Sequence, residues 1–188
     1  MTPDTHNAMR LKKMLSLDDF ENAARRHLPL PIFGYVQGAA EDNVSVEMTR
    51  NSFREYAFIP RVLADVSQRL PDTMLFGRQY SAPVGIAPMG LSALIAYRGD
   101  IVMAQAACAA NVPTIMSGSS LIRLEDVAKV NPDAWFQAYL PGEDDRIAAL
   151  IERVHRGGLK TLVITVVTSV AANRENNIRT GFASSVRC

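Results

Sequence analysis

The residues in this sequence that can do chemistry sit where apolar runs turn polar. Pro88-Met89-Gly90 closes the run PVGIA (83–87), and Ser117 closes Thr114-Ile115-Met116. Gln137 and Tyr139 stand in AWFQAYL (134–140), and Thr165 stands in TLVITVV (161–167). Ser, Gln and Thr offer hydrogen-bond donors and acceptors in fixed places. Such a set suits a flat heterocycle with alternating carbonyl and N–H groups, for example the pyrimidine ring of a flavin. Taken singly, each is weak, because a lone hydroxyl inside a strand is more often a satisfied core group. Arg174 lies in the polar stretch Asn173-Arg174-Glu175-Asn176-Asn177. Its planar fork suits a carboxylate held by two bonds. A loop arginine paired with Glu175 explains the same residues equally well.

These residues need elements to position them. Residues 161–167 form an almost unbroken β-branched run, the pattern of a strand covered on both faces. A greasy strand that opens into a charged loop at its C-terminal end is where α/β folds place their chemistry. Similar short strands are predicted at 84–88, 114–117 and 134–140. Between them the spacing predicts helices over 99–111, 124–130 and 143–155. The last has acids in its first turn, Ile147, Leu150, Ile151 and Val154 on one face, and Gly157-Gly158 as its stop. Strand and helix thus alternate at roughly 20–30 residues, which means βα units and a parallel sheet. A doubly wound sheet and a (β/α)8 barrel both fit. No G-x-G-x-x-G follows the first strand, so the dinucleotide fold loses ground.

Upstream, residues 1–15 are polar and read as a flexible N-terminus. Residues 16–81 read as a helical segment and connection. Ser16 and Asp19 can cap a helix that presents Leu17, Phe20 and Ala24 on one face, and Pro29 and Pro31 end it. Further helices are expected over 32–40 and 44–56, and a short hairpin around Phe76-Gly77.

The 188 residues are 48% apolar and 21% charged, with a net charge of +1. That is ordinary for a globular domain and argues against a nucleic-acid partner. The two cysteines do not make a disulfide scaffold, and Cys108 reads as a small core residue in an Ala-rich helix. No apolar run is long enough to span a bilayer, and no metal site is expected. A cytoplasmic location is expected.

The sequence also resembles a known family, the FMN-dependent α-hydroxy-acid dehydrogenases and oxidases. The stretches that carry the likeness are YVQGAAED (35–42), FIPRVLADVS (58–67), PVGIAPMGLSAL (83–94), IMSGSS (115–120), WFQAYL (135–140) and TLVITVVTSVAANRENNIRTGF (161–182). They stand in family order and spacing. The resemblance implies a (β/α)8 TIM barrel, represented by about its first four βα units over 82–188 after an N-terminal helical segment. It implies FMN as cofactor and oxidation of an (S)-2-hydroxy acid, L-lactate-like, to a 2-oxo acid. By position it assigns Pro88, Met89, Gly90, Ser117, Gln137 and Thr165 to the flavin, and Tyr35, Tyr139 and Arg174 to the substrate.

Two departures from the family pattern bear on activity. The family carries an aspartate two residues after the threonine of the fourth strand, and Val167 stands there. The later units, which carry the catalytic histidine and the phosphate site, have no counterpart. His6, His27 and His155 match none of the catalytic positions and read as surface or structural residues. Four strands would leave two open edges. The expectation is a homo-oligomer, or a chain that needs the missing C-terminal half. Two other readings compete with a working oxidoreductase: an inactive half barrel, and a non-redox binding or scaffold module.

Overall fold

The computed structural model describes residues 11–166 and 170–183. It divides into two compact units, one of residues up to Phe58 together with those from Val170, the other beginning at Ile59.

The second unit is built on a parallel sheet. Its strands are β3 (Ile115–Ser117), β4 (Trp135–Ala138) and β5 (Leu162–Ile164), in the order β3-β4-β5. An antiparallel hairpin precedes it, β1 (Thr73–Leu75) and β2 (Arg78–Tyr80). The turn between them is Phe76-Gly77, both with positive φ (50° and 77°), the geometry of a tight hairpin turn. Arg78 forms an ion pair with Asp133 just ahead of β4. Among helices, α5 (Gly99–Ala110), α6 (Leu124–Val130) and α7 (Asp144–Arg156) fall where the spacing predicts them, and a short turn, α4 (Ser92–Ile95), precedes α5.

The expected first strand, 84–88, is reduced to one bridge, Ile86 beside Thr114. Ile86 N–H donates to the Pro113 carbonyl (2.8 Å), and Ile115 N–H donates to the Ile86 carbonyl (3.0 Å). Pro83 and Pro88 have no N–H to extend the ladder. Val84 is exposed, contrary to the buried strand expected there. The fourth strand also differs from a strand covered on both faces. Ile164 is half exposed, and among the described residues β5 pairs only with β4. Its β-branched run records strand propensity, while burial depends on a neighbour. The described sheet is therefore open.

The core lies where α5, α6 and α7 cover β3 and β4. Phe136, Met116, Leu124, Val127 and Val154 are all at most 6% exposed. Alanines 104 and 107 let α5 approach closely, at 0% and 1% exposure. Cys108 is exposed, so the core role expected for it is corrected. It falls one position past Ala107, on the helix's outer side.

In the first unit, α1 spans Leu17–His27. The Asp19 carboxylate accepts from the N–H groups of Leu15 (2.8 Å) and Ser16 (3.0 Å), which holds it below the usual carboxylate range. The expected apolar face is less covered than the spacing implies: Leu17 is exposed, and only Ala24 is half-buried. Next come α2 (Leu30–Gln37), α3 (Val44–Ser52) and a short 3-10 turn at Phe53–Glu55. Pro31 lies in the first turn of α2 and does not block it, since the N–H that it lacks has no helical partner there. The stretch after Arg174, expected as a polar loop, forms α8 (Glu175–Thr180), closed by Gly181 at φ 72°.

Two predictions follow from these contacts. Phe136→Ala opens a cavity in the centre of the sheet and lowers the free energy of unfolding by about 3–5 kcal/mol, read by urea denaturation. The second concerns α6 and α7. Glu125 accepts from Arg153 Nε (3.1 Å) and Nη2 (3.3 Å), and this guanidinium pulls its carboxyl from 4.5 down to about 2. The stabilisation is therefore fully present above pH 4.5 and is lost as pH falls toward 2. An NMR titration reads the low midpoint in the native protein, and Arg153→Ala returns it to the ordinary carboxylate range.

Candidate functional site

The sheet register gathers one group of the expected residues. Ser117 stands opposite Gln137, Gln137 opposite Val163, and Thr165 follows two residues later, beyond the end of β5. Three parallel strands thus end with polar side chains side by side. Ser117 and Gln137 are buried, at 4% and 2% exposure. Buried polar groups need partners, and these find one another.

Gln137 is the hub. Its Oε1 accepts from Ser117 Oγ (3.3 Å) and from Gly118 N–H (3.1 Å). Its Nε2 donates to Thr165 Oγ1 (2.8 Å). Ser117 Oγ in turn accepts from Ser119 N–H (3.1 Å), and Thr165 N–H donates to the Ala138 carbonyl (3.0 Å). An amide nitrogen carries two hydrogens, and this row uses one.

Gly90 adjoins the row. A Cβ on it would lie 3.2 Å from Ser119 Cβ and 3.8 Å from Ser117 Oγ. A side chain at 90 would therefore press on the row. Pro88 is half-buried, and Met89 is 43% exposed. Tyr139 follows β4 directly, with 49% of its surface exposed. A row of fixed donors and acceptors, with a small residue beside it, fits the polar edge of a flavin ring.

The first unit holds a second group. Arg174 Nη2 donates to the main-chain carbonyls of Tyr35 (2.5 Å) and Gly38 (2.7 Å), at the C-terminal end of α2. Helix-end carbonyls carry partial negative charge, which suits a cation. The guanidinium also lies over the Tyr35 ring, 4.7 Å from its centroid. Glu175 pairs with Arg179. The loop ion pair with Glu175 considered for Arg174 is thus not the contact that the structure records. Arg174 Nε is buried and has no partner among the described residues. A buried guanidinium N–H without an acceptor fits a carboxylate ligand.

Backbone proximity makes this arrangement possible. A Cβ on Gly34 would lie 2.5 Å from the Thr180 side chain, and one on Gly38 would lie 2.5 Å from Asn176 Nδ2. Asn43, left-handed at φ 70°, accepts through Oδ1 from Ala39 N–H (2.8 Å) and Asn176 Nδ2 (2.9 Å). Phe182 stacks on Tyr35 with centroids 4.4 Å apart. Asn43, Asn176 and Phe182 were not singled out from sequence. The glycines spaced four apart, Gly34 in α2 and Gly38 just after it, were the available signal. Val167, expected to replace a carboxylate, lies outside the described residues, as does His6. His27 and His155 are exposed on α1 and α7.

The pattern of the FMN-dependent dehydrogenase family matches residues 24–188, and the chain belongs to that family. Its members are FMN-dependent enzymes. The chain is 30% identical to (S)-mandelate dehydrogenase of Pseudomonas putida, over 91% of this chain and 44% of that protein. It is 32% identical to L-lactate oxidase of Lysinibacillus sphaericus (88% and 43%) and 34% identical to human 2-hydroxyacid oxidase 2 (88% and 48%). Among solved structures, the monotopic membrane protein (S)-mandelate dehydrogenase matches with a TM-score of 0.85 at 30% identity, over 91% of this chain and 46% of that one. The chain spans less than half the length of these relatives. No helix among the described residues is long and apolar enough to cross a membrane.

Gln137→Leu tests the row. It keeps the bulk but leaves Ser117, Gly118 and Thr165 without their shared partner. The cost is about 1–3 kcal/mol of stability, read by denaturation, and the Thr165 hydroxyl resonance shifts in NMR.

Proposed function

We propose that this chain supplies the flavin-ring and carboxylate contacts for FMN-dependent oxidation of an (S)-2-hydroxy acid, L-lactate-like, to a 2-oxo acid. The observation that carries the reading is the Ser117–Gln137–Thr165 row at the ends of three parallel strands. Pro88, Met89 and Gly90 would back the ring, and the row would meet its polar edge. Arg174, with Tyr35 and Tyr139, would hold the substrate carboxylate. In this reading residues 16–81 are a helical segment and connection. Residues 82–188 are about the first four βα units of a (β/α)8 barrel.

The oxidation removes a hydride from carbon and a proton from the hydroxyl group. Bound FMN supplies the two-electron acceptor. Arg174 would fix the carboxylate and so orient the C–H bond, while the buried row orients the ring without rearranging. The open edge of β5 supports association there, with a second copy or with further strands of such a barrel. We place the chain in the cytoplasm or at the inner-membrane surface; a relative described as a monotopic membrane protein supports a membrane surface.

A second reading rests on the histidines. A base must take the hydroxyl proton, and His27 and His155 are exposed helix residues. This favours a chain that binds flavin and acid without turnover.

The test is to add excess FMN, remove what is unbound, and record visible flavin absorbance. Retained flavin is the expected outcome, and its absence overturns the reading. Anaerobic addition of L-lactate then separates the two readings: bleaching means oxidation, and a shifted but unbleached spectrum means binding alone. Arg174→Met raises the acid concentration needed for either response by about 10- to 100-fold.

A further inference from the structure

The strongest unassigned feature is a buried carboxylate. Asp100, in the first turn of α5, is 4% exposed. Its Oδ2 is engaged with two hydroxyls. It accepts from Ser92 Oγ (2.5 Å) and Ser120 Oγ (2.7 Å). Ser92 is itself buried, at 4% exposure, and Ser120 Oγ accepts from Ile122 N–H (2.9 Å).

Those two serines follow different loops: Ser92 opens α4, and Ser120 lies beyond β3. Ser92 follows Pro88-Met89-Gly90, and Ser120 follows Ser117. Both loops carry residues assigned above to the flavin. One further bond joins them directly, from Leu91 N–H to the Ser119 carbonyl (3.3 Å). The segment from Gly90 to the start of α5 is strained. Leu91 (φ 58°) and Arg98 (φ 56°) are both left-handed, and neither is glycine. Such backbone persists only where its surroundings over-determine it. Gly99 permits the close turn, since a Cβ there would lie 2.6 Å from the Ser92 carbonyl oxygen. A buried charge is costly unless hydrogen-bonded, so a lone carboxylate at this point needs both hydroxyls.

We infer that Asp100 is a positioning residue: it clamps the Gly90 loop to the Ser117 loop and so sets the spacing between the ring-backing and ring-edge contacts. This rests on the flavin reading above. Asp100 touches neither ring nor substrate, and it acts through Ser92 and Ser120.

The experiment compares the native chain with Asp100→Ala, Asp100→Asn, Ser92→Ala and Ser120→Ala. Amide hydrogen exchange is measured without flavin, and FMN affinity is then measured by fluorescence quenching. In Asp100→Ala, exchange should rise about tenfold or more in peptides covering 88–96 and 117–122, and stay unchanged in 135–138. FMN should bind about tenfold more weakly. Asp100→Asn, which keeps a carbonyl acceptor where Oδ2 stood, should restore both readouts most of the way. The serine variants each remove one bond and keep the clamp testable should Asp100→Ala not fold. Unchanged exchange in both loops overturns the clamp. Loosened loops with unchanged FMN affinity overturn the positioning role. A native chain that takes up no FMN overturns the functional reading and the flavin role with it, while loosened loops would still establish the clamp.

Discussion

The register of three short parallel strands is the constraint on which the candidate site depends. Because β3, β4 and β5 run the same way, their C-terminal ends lie side by side. Ser117, Gln137 and Thr165 are therefore neighbours although 20 and 28 residues separate them. A slip of one residue would turn Gln137 to the other face and put apolar Phe136 or Ala138 in the polar row in its place. Gln137 ties the two flanking strands together through Ser117 and Thr165, accepts from the Gly118 N–H, and has one amide hydrogen that the row does not use. The core beneath, centred on Phe136 and Val127, holds that register.

The arginine group of the first unit obeys a different logic. Arg174 is placed by backbone, not by an acidic partner. Two helix-end carbonyls and an aromatic face hold the guanidinium, while its buried Nε lacks an acceptor among the described residues. A cation neutralised by its own carboxylate would be a poor receptor for another one. Held by carbonyl dipoles, Arg174 would be open to a carboxylate in the proposed reading. The small residues Gly34 and Gly38 are what allow α8 to come close enough to α2 for this.

Strand propensity and strand burial part company in this chain. Leu162, Val163 and Ile164 are ideal strand formers, yet Ile164 is half exposed because β5 pairs on one side only among the described residues. In the 84–88 run the opposite holds. Apolar character is present, but Pro83 and Pro88 remove donors and leave a single bridge. Hydrophobic pattern alone does not count hydrogen bonds.

Much of the architecture is legible in the residues themselves. Helix spacing, the Phe76-Gly77 turn, the Ser16–Asp19 cap and the alternation of strand and helix are local properties, set by side-chain periodicity and backbone freedom within a few residues. The polar strand ends were visible for the same reason, as breaks in apolar runs. Tertiary structure alone decided what those residues touch. The sequence could not show that Gln137 joins Ser117 to Thr165, or that Glu175 pairs with Arg179 and leaves Arg174 to Tyr35 and Gly38. Nor could it show that Asp100 turns from its helix to bind serines 8 and 20 residues away. Cys108 and Ile164 came out exposed for a related reason. Burial belongs to the partner surface as much as to the residue, and partners distant in sequence are brought together only by the packed fold.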